Sequence, residues 1–246
     1  MTDTVYYPYL GVGKLYARIA GAAAGLMDIG DVSKLDLAVK EDKKKQMDSS
    51  KIGGGVRVTA SRITEVTLGM TLNDLNKTNV ARAVFGSEAA VAGATVADEA
   101  VTAYKSALAP LAHINPTAVT VTNDAATTTY AAGTDYEVRP GGIYILSTGA
   151  ITDGQALKVD YTHAAYDKVE AMTTGAITLE LHFEGLNEAN SGKPVIVDIY
   201  RAQLSPTKAL SLLGDKFADL AVDAEVLIDS SKVGEGISKY FRVKMA

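Results

Sequence analysis

The chain has 246 residues, enough for one large or two small domains, and its 47% hydrophobic and 22% charged content excludes a disordered polymer. It has no cysteine, which removes disulfide staples and thiolate metal sites. A net charge of −5 excludes a general nucleic-acid binder, which carries an excess of Lys and Arg.

The N-terminus, Met1 to Val12, has no basic stretch ahead of an apolar core, so no signal peptide is expected. The most apolar stretch, Ile19 to Met27, is about half of the ~20 residues that a membrane span needs. The expectation is a protein made in the cytoplasm that does not insert into a membrane.

Strand patterns follow in order. Leu15, Ala17 and Ile19 alternate with Lys14, Tyr16 and Arg18; Leu35, Leu37 and Val39 alternate with Lys34, Asp36, Ala38 and Lys40. Val56, Val58 and Ala60, then Val66, Leu68, Met70 and Leu72, share one parity, with Arg57, Thr59, Ser61, Glu65, Thr67 and Thr71 on the other. Period-two alternation places such sets on opposite faces of a sheet. Arg62 and Thr64 break the apolar parity, which predicts a bulge or an inter-subunit contact there. Between Lys40 and Val56 runs a polar loop, Glu41-Asp42-Lys43-Lys44-Lys45-Gln46-Met47-Asp48-Ser49-Ser50, which ends in Gly53-Gly54-Gly55. A long polar loop with little core beneath it usually carries function.

A helix is expected from Asn73 or Asp74 as N-cap to Gly86, with Leu75, Asn79, Arg82 and Ala83 at helical spacing. A second is expected from Ser205-Pro206 to Leu213, with Pro206 at its first position and Gly214 after its end. From Thr95 to Met172 the chain turns rich in Ala, Thr and Tyr, with strand patterns at Ala118–Thr122, Asp135–Arg139, Ile143–Ser147 and Leu157–His163 separated by turn residues. This segment has nine acidic and four basic residues and so carries the whole net charge; the remainder is neutral. The shift predicts an inserted, outward-facing all-β module at 95–172 within a discontinuous domain of 1–94 and 173–246. The late strands are one-face-buried: Ile177, Leu179, Leu181 and Phe183 oppose Thr178, Glu180, His182 and Glu184. Likewise Val195, Val197 and Ile199 oppose Ile196, Asp198 and Tyr200, and Ala218, Leu220, Val222, Ala224, Val226 and Ile228 oppose Asp219, Asp223, Glu225 and Asp229.

No motif for catalysis stands out. Gly11-Val12-Gly13 lacks the third glycine and the helix of a dinucleotide fingerprint, and Gly53-Gly54-Gly55 precedes a strand rather than a helix N-terminus. No serine sits in a nucleophile elbow. Glu180 and Glu184 read as a solvated strand face. His113, His163 and His182 are far apart, without ligand spacing, and read as isolated surface or edge residues, so neither metal nor cofactor is expected. Lys43-Lys44-Lys45, flanked by Glu41, Asp42 and Asp48, is too mixed for a nucleic-acid patch and reads as a solvated hairpin tip or a contact with an acidic surface on a neighbouring subunit.

Several pieces in order resemble the tail tube (major tail) proteins of long-tailed bacteriophages. They are Ile29-Gly30-Asp31-Val32 before strand Leu35–Val39; the polar loop ending at Asp48-Ser49-Ser50 and Gly53-Gly54-Gly55; and Val66–Leu72 leading into Asn73-Asp74-Leu75-Asn76 and a helix stopping at Phe85-Gly86. Leu181-His182-Phe183-Glu184-Gly185-Leu186-Asn187 before Gly192-Lys193-Pro194, and Pro206–Leu213 before Asp215-Lys216-Phe217, complete the set. The resemblance covers roughly residues 10–94 and 173–246; the middle segment is a departure.

The resemblance implies a mainly β protein, a tail-tube-like β-sandwich or barrel with a flanking helix; the small all-β insert, which the family's core does not require, is expected on the tube exterior from its charge and turn spacing. It implies a structural virion protein, not an enzyme, whose hexameric rings stack into a tube that conducts DNA into the host. Its partners are then further copies of itself, other tail proteins such as the tape measure and terminator, and DNA in transit without specific binding; its place is the virion tail, after synthesis in the host cytoplasm. The loop Glu41, Asp42, Lys43, Lys44, Lys45, Gln46, Met47, Asp48, Ser49, Ser50 becomes the inter-ring contact. A lumen that does not hold phosphates is neutral to acidic, without stacked Lys and Arg. Thr178, Glu180, His182 and Glu184 are the first choice for that face, and Asp219, Asp223 and Glu225 the second. A β-sandwich surface-binding or adhesin module is the alternative.

Overall fold

The computed structural model describes residues 8–50, 52–215 and 217–246, so the N-terminal reading falls largely outside it. The protein is mainly β, with several antiparallel sheets. In chain order the strands are β1 (Gly11–Ile19), β2 (Met27–Asp28), β3 (Val32–Met47), β4 (Val56–Leu72), β5 (Ser87–Val91), β6 (Ala94–Ala103), β7 (Leu108–Pro110), β8 (Thr117–Asn123) and β9 (Thr129–Tyr130). Then follow β10 (Tyr136–Arg139), β11 (Gly142–Ile145), β12 (Gln155–His163), β13 (Tyr166–Glu170), β14 (Thr178–Asn187), β15 (Lys193–Leu204), β16 (Leu220–Val226) and β17 (Phe241–Met245). Among the described residues one α-helix, α1 (Lys77–Ala83), lies between β4 and β5.

The chain divides into two compact units, Met1–Glu88 with Val169–Ala246, and Ala89–Lys168. Charge and composition place the boundaries at 94/95 and 172/173, a few residues later. The difference arises because both crossings fall within β5 and β13, which pair with each other and have no compositional signature of their own.

In the discontinuous unit the strand order is β2-β1-β14-β15-β16-β4-β3, with β17 beside β15. β15 is the corner: Val195–Ile199 pair with β17, and Ala202–Leu204 pair with β16. A register shift against β14 at Leu179/Leu181 switches its parity, so Ile199, Tyr200, Ala202 and Leu204 are all buried. The two halves of the sheet close on one core: Leu15, Ala17, Leu179 and Leu181 from one side, Val66, Leu68, Met70, Leu72, Leu220, Val222 and Val226 from the other. Burying each such side chain stabilises by about 1.5–3 kcal/mol. The path has two ends, β2 and β3, so these strands do not close a barrel within one chain.

Helix α1 starts later than the sequence implies, because Asn73 and Asp74 are engaged elsewhere. The Asn73 amide donates to the Asp31 carbonyl at 2.9 Å, and the Asp74 carboxylate accepts the Asp31 amide at 2.8 Å. The N-cap passes to Asn76, whose side chain accepts from the Asn79 amide at 2.9 Å. The buried Asn79 carboxamide donates to the carbonyls of Ile29 at 2.8 Å and Asp74 at 3.1 Å, fixing the helix to the approach to β3. At the far end Phe85, not Gly86, takes the left-handed conformation, at φ 51°. Gly86 is needed for a close approach instead: a Cβ there would stand 2.6 Å from the Glu170 carbonyl oxygen.

The second expected helix, Ser205 to Leu213, does not form. The Ser205 amide bonds the Asp223 carbonyl and the Thr207 amide bonds the Ala83 carbonyl, both at 2.8 Å. The Thr207 hydroxyl bonds the carbonyls of Ala209 and Ala221. These bonds hold Ser205 and Thr207 to β16 and to the end of α1, and the segment is irregular.

The inserted unit has a four-stranded sheet, β6-β12-β8-β9, and a three-stranded sheet, β10-β11-β7. Its own core contains Val121, Tyr136, Ile143, Ile145, Ile151, Leu157, Val159 and Tyr161.

Candidate assembly surfaces

The expected polar loop is a β-hairpin arm. Glu41–Met47 continue β3 and pair with β4 in seven cross-strand pairs, from Glu41 with Ile63 to Met47 with Val56; only Asp48, Ser49 and Ser50 of the expected site lie in the turn region. At ~3.3 Å per residue the ribbon runs roughly 23 Å beyond the sheet. Polar composition suggested a loop, but a strand with both faces in solvent needs no apolar alternation.

Thr64 is the hinge between sheet and arm. Lys40 pairs with Glu65 and Glu41 with Ile63, so Thr64 is the extra residue of a bulge, and its hydroxyl bonds the Lys40 carbonyl at 3.2 Å. The bulge reverses which side each residue faces. Below it Val66, Leu68 and Met70 are buried; above it Val58 is 54% and Ile63 51% exposed, and Met47 and Val56 are similarly open. On the arm Lys43 pairs with Glu41 at 3.1 Å and Lys44 with Asp42 at 3.6 Å. Hydrogen bonds from Ser61 and then Lys43 hold the Glu41 carboxyl below its ordinary range. These exposed pairs contribute little to stability. A two-stranded ribbon is marginal in water unless a face is covered, and this one carries open apolar side chains along an unpaired sheet edge.

The first candidate lumen face is a paired charge network. Thr178, Glu180, His182 and Glu184 lie on β14 opposite the core residues Leu179 and Leu181. Across the register they share a face with Lys14, Tyr16 and Arg18 of β1, Asp198 of β15 and Arg242 and Lys244 of β17. Arg18 bonds Glu180 at 2.8 Å, and Lys14 reaches Asp28 at 3.0 Å. Asp198 is the hub: His182 Nδ1 stands 2.7 Å from it, and Arg242 and Lys244 2.9 Å each. Burial pushes the Asp198 carboxyl up, but hydrogen bonds from Lys244, Arg242 and His182 outweigh that and bring it down to about 2. Four cations balance four carboxylates here, so the expected freedom from Lys and Arg does not hold.

The second candidate face is more acidic. β3, β4 and β16 present Lys34, Asp36, Lys40, Glu65, Asp223 and Glu225 on the side away from the core, four carboxylates against three lysines once Lys208, which binds Asp223, is counted. Asp223 also holds Lys208, at 2.9 Å, and Asp219 is exposed just before β16.

The histidines are not all isolated. His182 joins the Asp198 hub, and His113 and His163 stack on each other in the inserted unit. Their separation of 50 residues gave the sequence no local signal. Among the described residues no group of three or more His, Asp or Glu is placed to hold a metal ion, and no helix is long and apolar enough to cross a membrane.

Residues 8–244 match the model of the family described as Protein of unknown function UCP028589, and the chain belongs to that family. No curated protein matches it.

Proposed function

We propose that this member of the family is a self-assembling structural protein, the tail tube subunit of a long-tailed bacteriophage. The observation that carries the reading is the β3–β4 arm. It projects with both faces open, holds apolar side chains that its own chain does not cover, and continues the free edge strand of the sheet. Such a ribbon gains its stability from another copy.

In this reading free edges pair laterally to close hexameric rings, and the arms make the axial contacts that stack rings into a tube. The lumen is lined by the β3–β4–β16 face, because its excess of carboxylates repels DNA phosphates, whereas the face of Glu180 and His182 is balanced between cations and carboxylates. Thr178, Glu180, His182 and Glu184 then belong to a contact or outer surface. The inserted unit lies on the tube exterior. The tube ends meet other tail proteins, such as tape measure and terminator.

Shortening the arm tests the reading. Replacing residues 42–62 with a two-residue turn keeps every core strand, so the variant folds, retains the lateral edges that close rings, and fails to stack into tubes. Polymers of normal yield from it would remove the arm as the axial contact. The competing reading, an adhesin whose inserted unit is the binding module, draws on that unit's separate core; it predicts a monomer with or without the arm.

A further inference from the structure

In the discontinuous unit the core is left open between two strand edges. Among the described residues β3 pairs only with β4, and β17 only with β15. Between them runs a groove of about 430 Å³. Its floor is the core-facing row Leu15, Phe183, Val197 and Val243, set side by side by the register of β1, β14, β15 and β17. Its wall is Leu35 and Leu37 of β3. Phe183, Val197, Leu35 and Leu37 are only partly buried against the core, and Val243 is 46% exposed. Gly11 and Gly13 line the groove without side chains. Sites that hold a small ligand measure roughly 300–1,000 Å³, so this one has room for a few large side chains.

The same unit carries an apolar segment that its own chain leaves uncovered. After β15 the Ser205 amide and the Thr207 hydroxyl bond the carbonyls of Asp223 and Ala221, so the chain runs along the side of β16 away from β4. Leu210 still packs on its own core, but Leu212 is 78% exposed and Leu213 and Phe217 stand fully in solvent. From Ala209 to Asp219 the described backbone forms no helix or strand, and its amides donate to no other described backbone carbonyl. A lone exposed leucine is ordinary; three large apolar side chains so close in sequence, on backbone with unused donors, mark a surface that another chain covers.

We infer that Leu212, Leu213 and Phe217 of one copy fill the groove between β3 and β17 of the next copy and complete its core. The strand order sets donor and receptor apart. The segment lies beyond β16 and the groove beside β3, with β4 between, two strand spacings or roughly 10 Å across the sheet. A surface at one side of a subunit that fits a surface at the other is a heterologous contact, and rotation closes such contacts into a ring. The open edges of β3 and β17 also offer backbone partners to the segment's unused amides, as when an extended peptide adds to a sheet. The inference names the lateral contact of the ring reading and rests on that reading's self-assembly.

The chain has no cysteine, so engineered thiols report on this contact without background. Leu213→Cys and Val243→Cys are made singly and together in the full chain and treated with a short bis-maleimide. The two single variants, mixed, give cross-linked dimers that neither gives alone, and the double variant gives a ladder of linked copies. In parallel, Leu212→Ser, Leu213→Ser and Phe217→Ser together leave thermal unfolding of the monomer unchanged, because all three side chains are exposed there, and weaken association by about a hundredfold or more. Cross-links within single chains of the dilute double variant mean that the segment fills its own groove, and overturn the inference. Tubes that form without a cross-link, or undiminished association of the serine variant, also overturn it and leave the tube reading standing. Cross-linked copies that never make tubes support the inference and remove the tube reading; monomers without cross-links at every concentration overturn both.

Discussion

His182 and Asp198 face each other across β14 and β15, Nδ1 to Oδ1 at 2.7 Å, and the same carboxylate holds Arg242 and Lys244 of the C-terminal strand. One side chain thus ties three strands together. The folded state holds the Asp198 proton less tightly than the unfolded chain, whose aspartate titrates near 3.8. Its stabilisation is full above about pH 4 and is lost as pH falls towards 2. Asp198→Asn is expected to lower stability at pH 7 by about 1–2 kcal/mol, with no loss once both proteins are below about pH 2. Urea unfolding of both proteins across that range measures it; an equal difference at every pH would make Asp198 a packing residue only.

Asn79 is the buried polar pin of α1, with two backbone carbonyls on its carboxamide. Asn79→Ala leaves both acceptors without their donor and is expected to cost about 1–3 kcal/mol. Thermal unfolding checks it; a change within ~0.5 kcal/mol would show that the surroundings re-pair those carbonyls.

The legible parts of the sequence were those with one face in the core. β16 reads directly, because Leu220, Val222, Ala224 and Val226 are buried and Ala221, Asp223 and Glu225 are not. Val66 to Leu72 read equally well, and the parity break at Arg62 and Thr64 marked the bulge where the arm begins. The arm is a strand pair where its polar composition points to a loop, because Glu41 to Gln46 have no buried side to impose a period. The start of α1 and the absent helix at Ser205–Leu213 were decided by bonds to Asp31, Ala83 and Asp223, which are remote in sequence. The acidic face was legible only as a second choice, since its charge balance depends on which residues β3 and β4 set beside Asp223.

Val58 lies on the arm, 54% exposed. Val58→Asp is expected to change monomer stability by less than ~0.5 kcal/mol, as for exposed substitutions elsewhere, and to reduce polymer yield strongly, because the charge must be desolvated in the contact. Sedimentation of polymer against monomer unfolding separates the two effects; undiminished polymer would place Val58 outside any contact.

The inserted unit has its own core, so its removal leaves the other unit's core complete. Replacing Ala89–Lys168 with a short Gly-Ser linker is expected to give a folded, assembly-competent protein, since the retained flanks are held together by the Met172 and Thr174 amides, which donate to the Val84 and Phe85 carbonyls at 3.0 and 2.8 Å. Circular dichroism and sedimentation check it; an unfolded product would show that the discontinuous unit depends on the insert.

The central claim is self-assembly into a hollow tube, and electron microscopy of the purified full-length chain over a range of concentrations tests it most directly. The account predicts six-fold rings at low concentration and stacked hollow tubes at high concentration, with no tubes at any concentration from the arm-shortened variant. A native chain that stays monomeric at every concentration, or that forms solid fibres without a lumen, would contradict it.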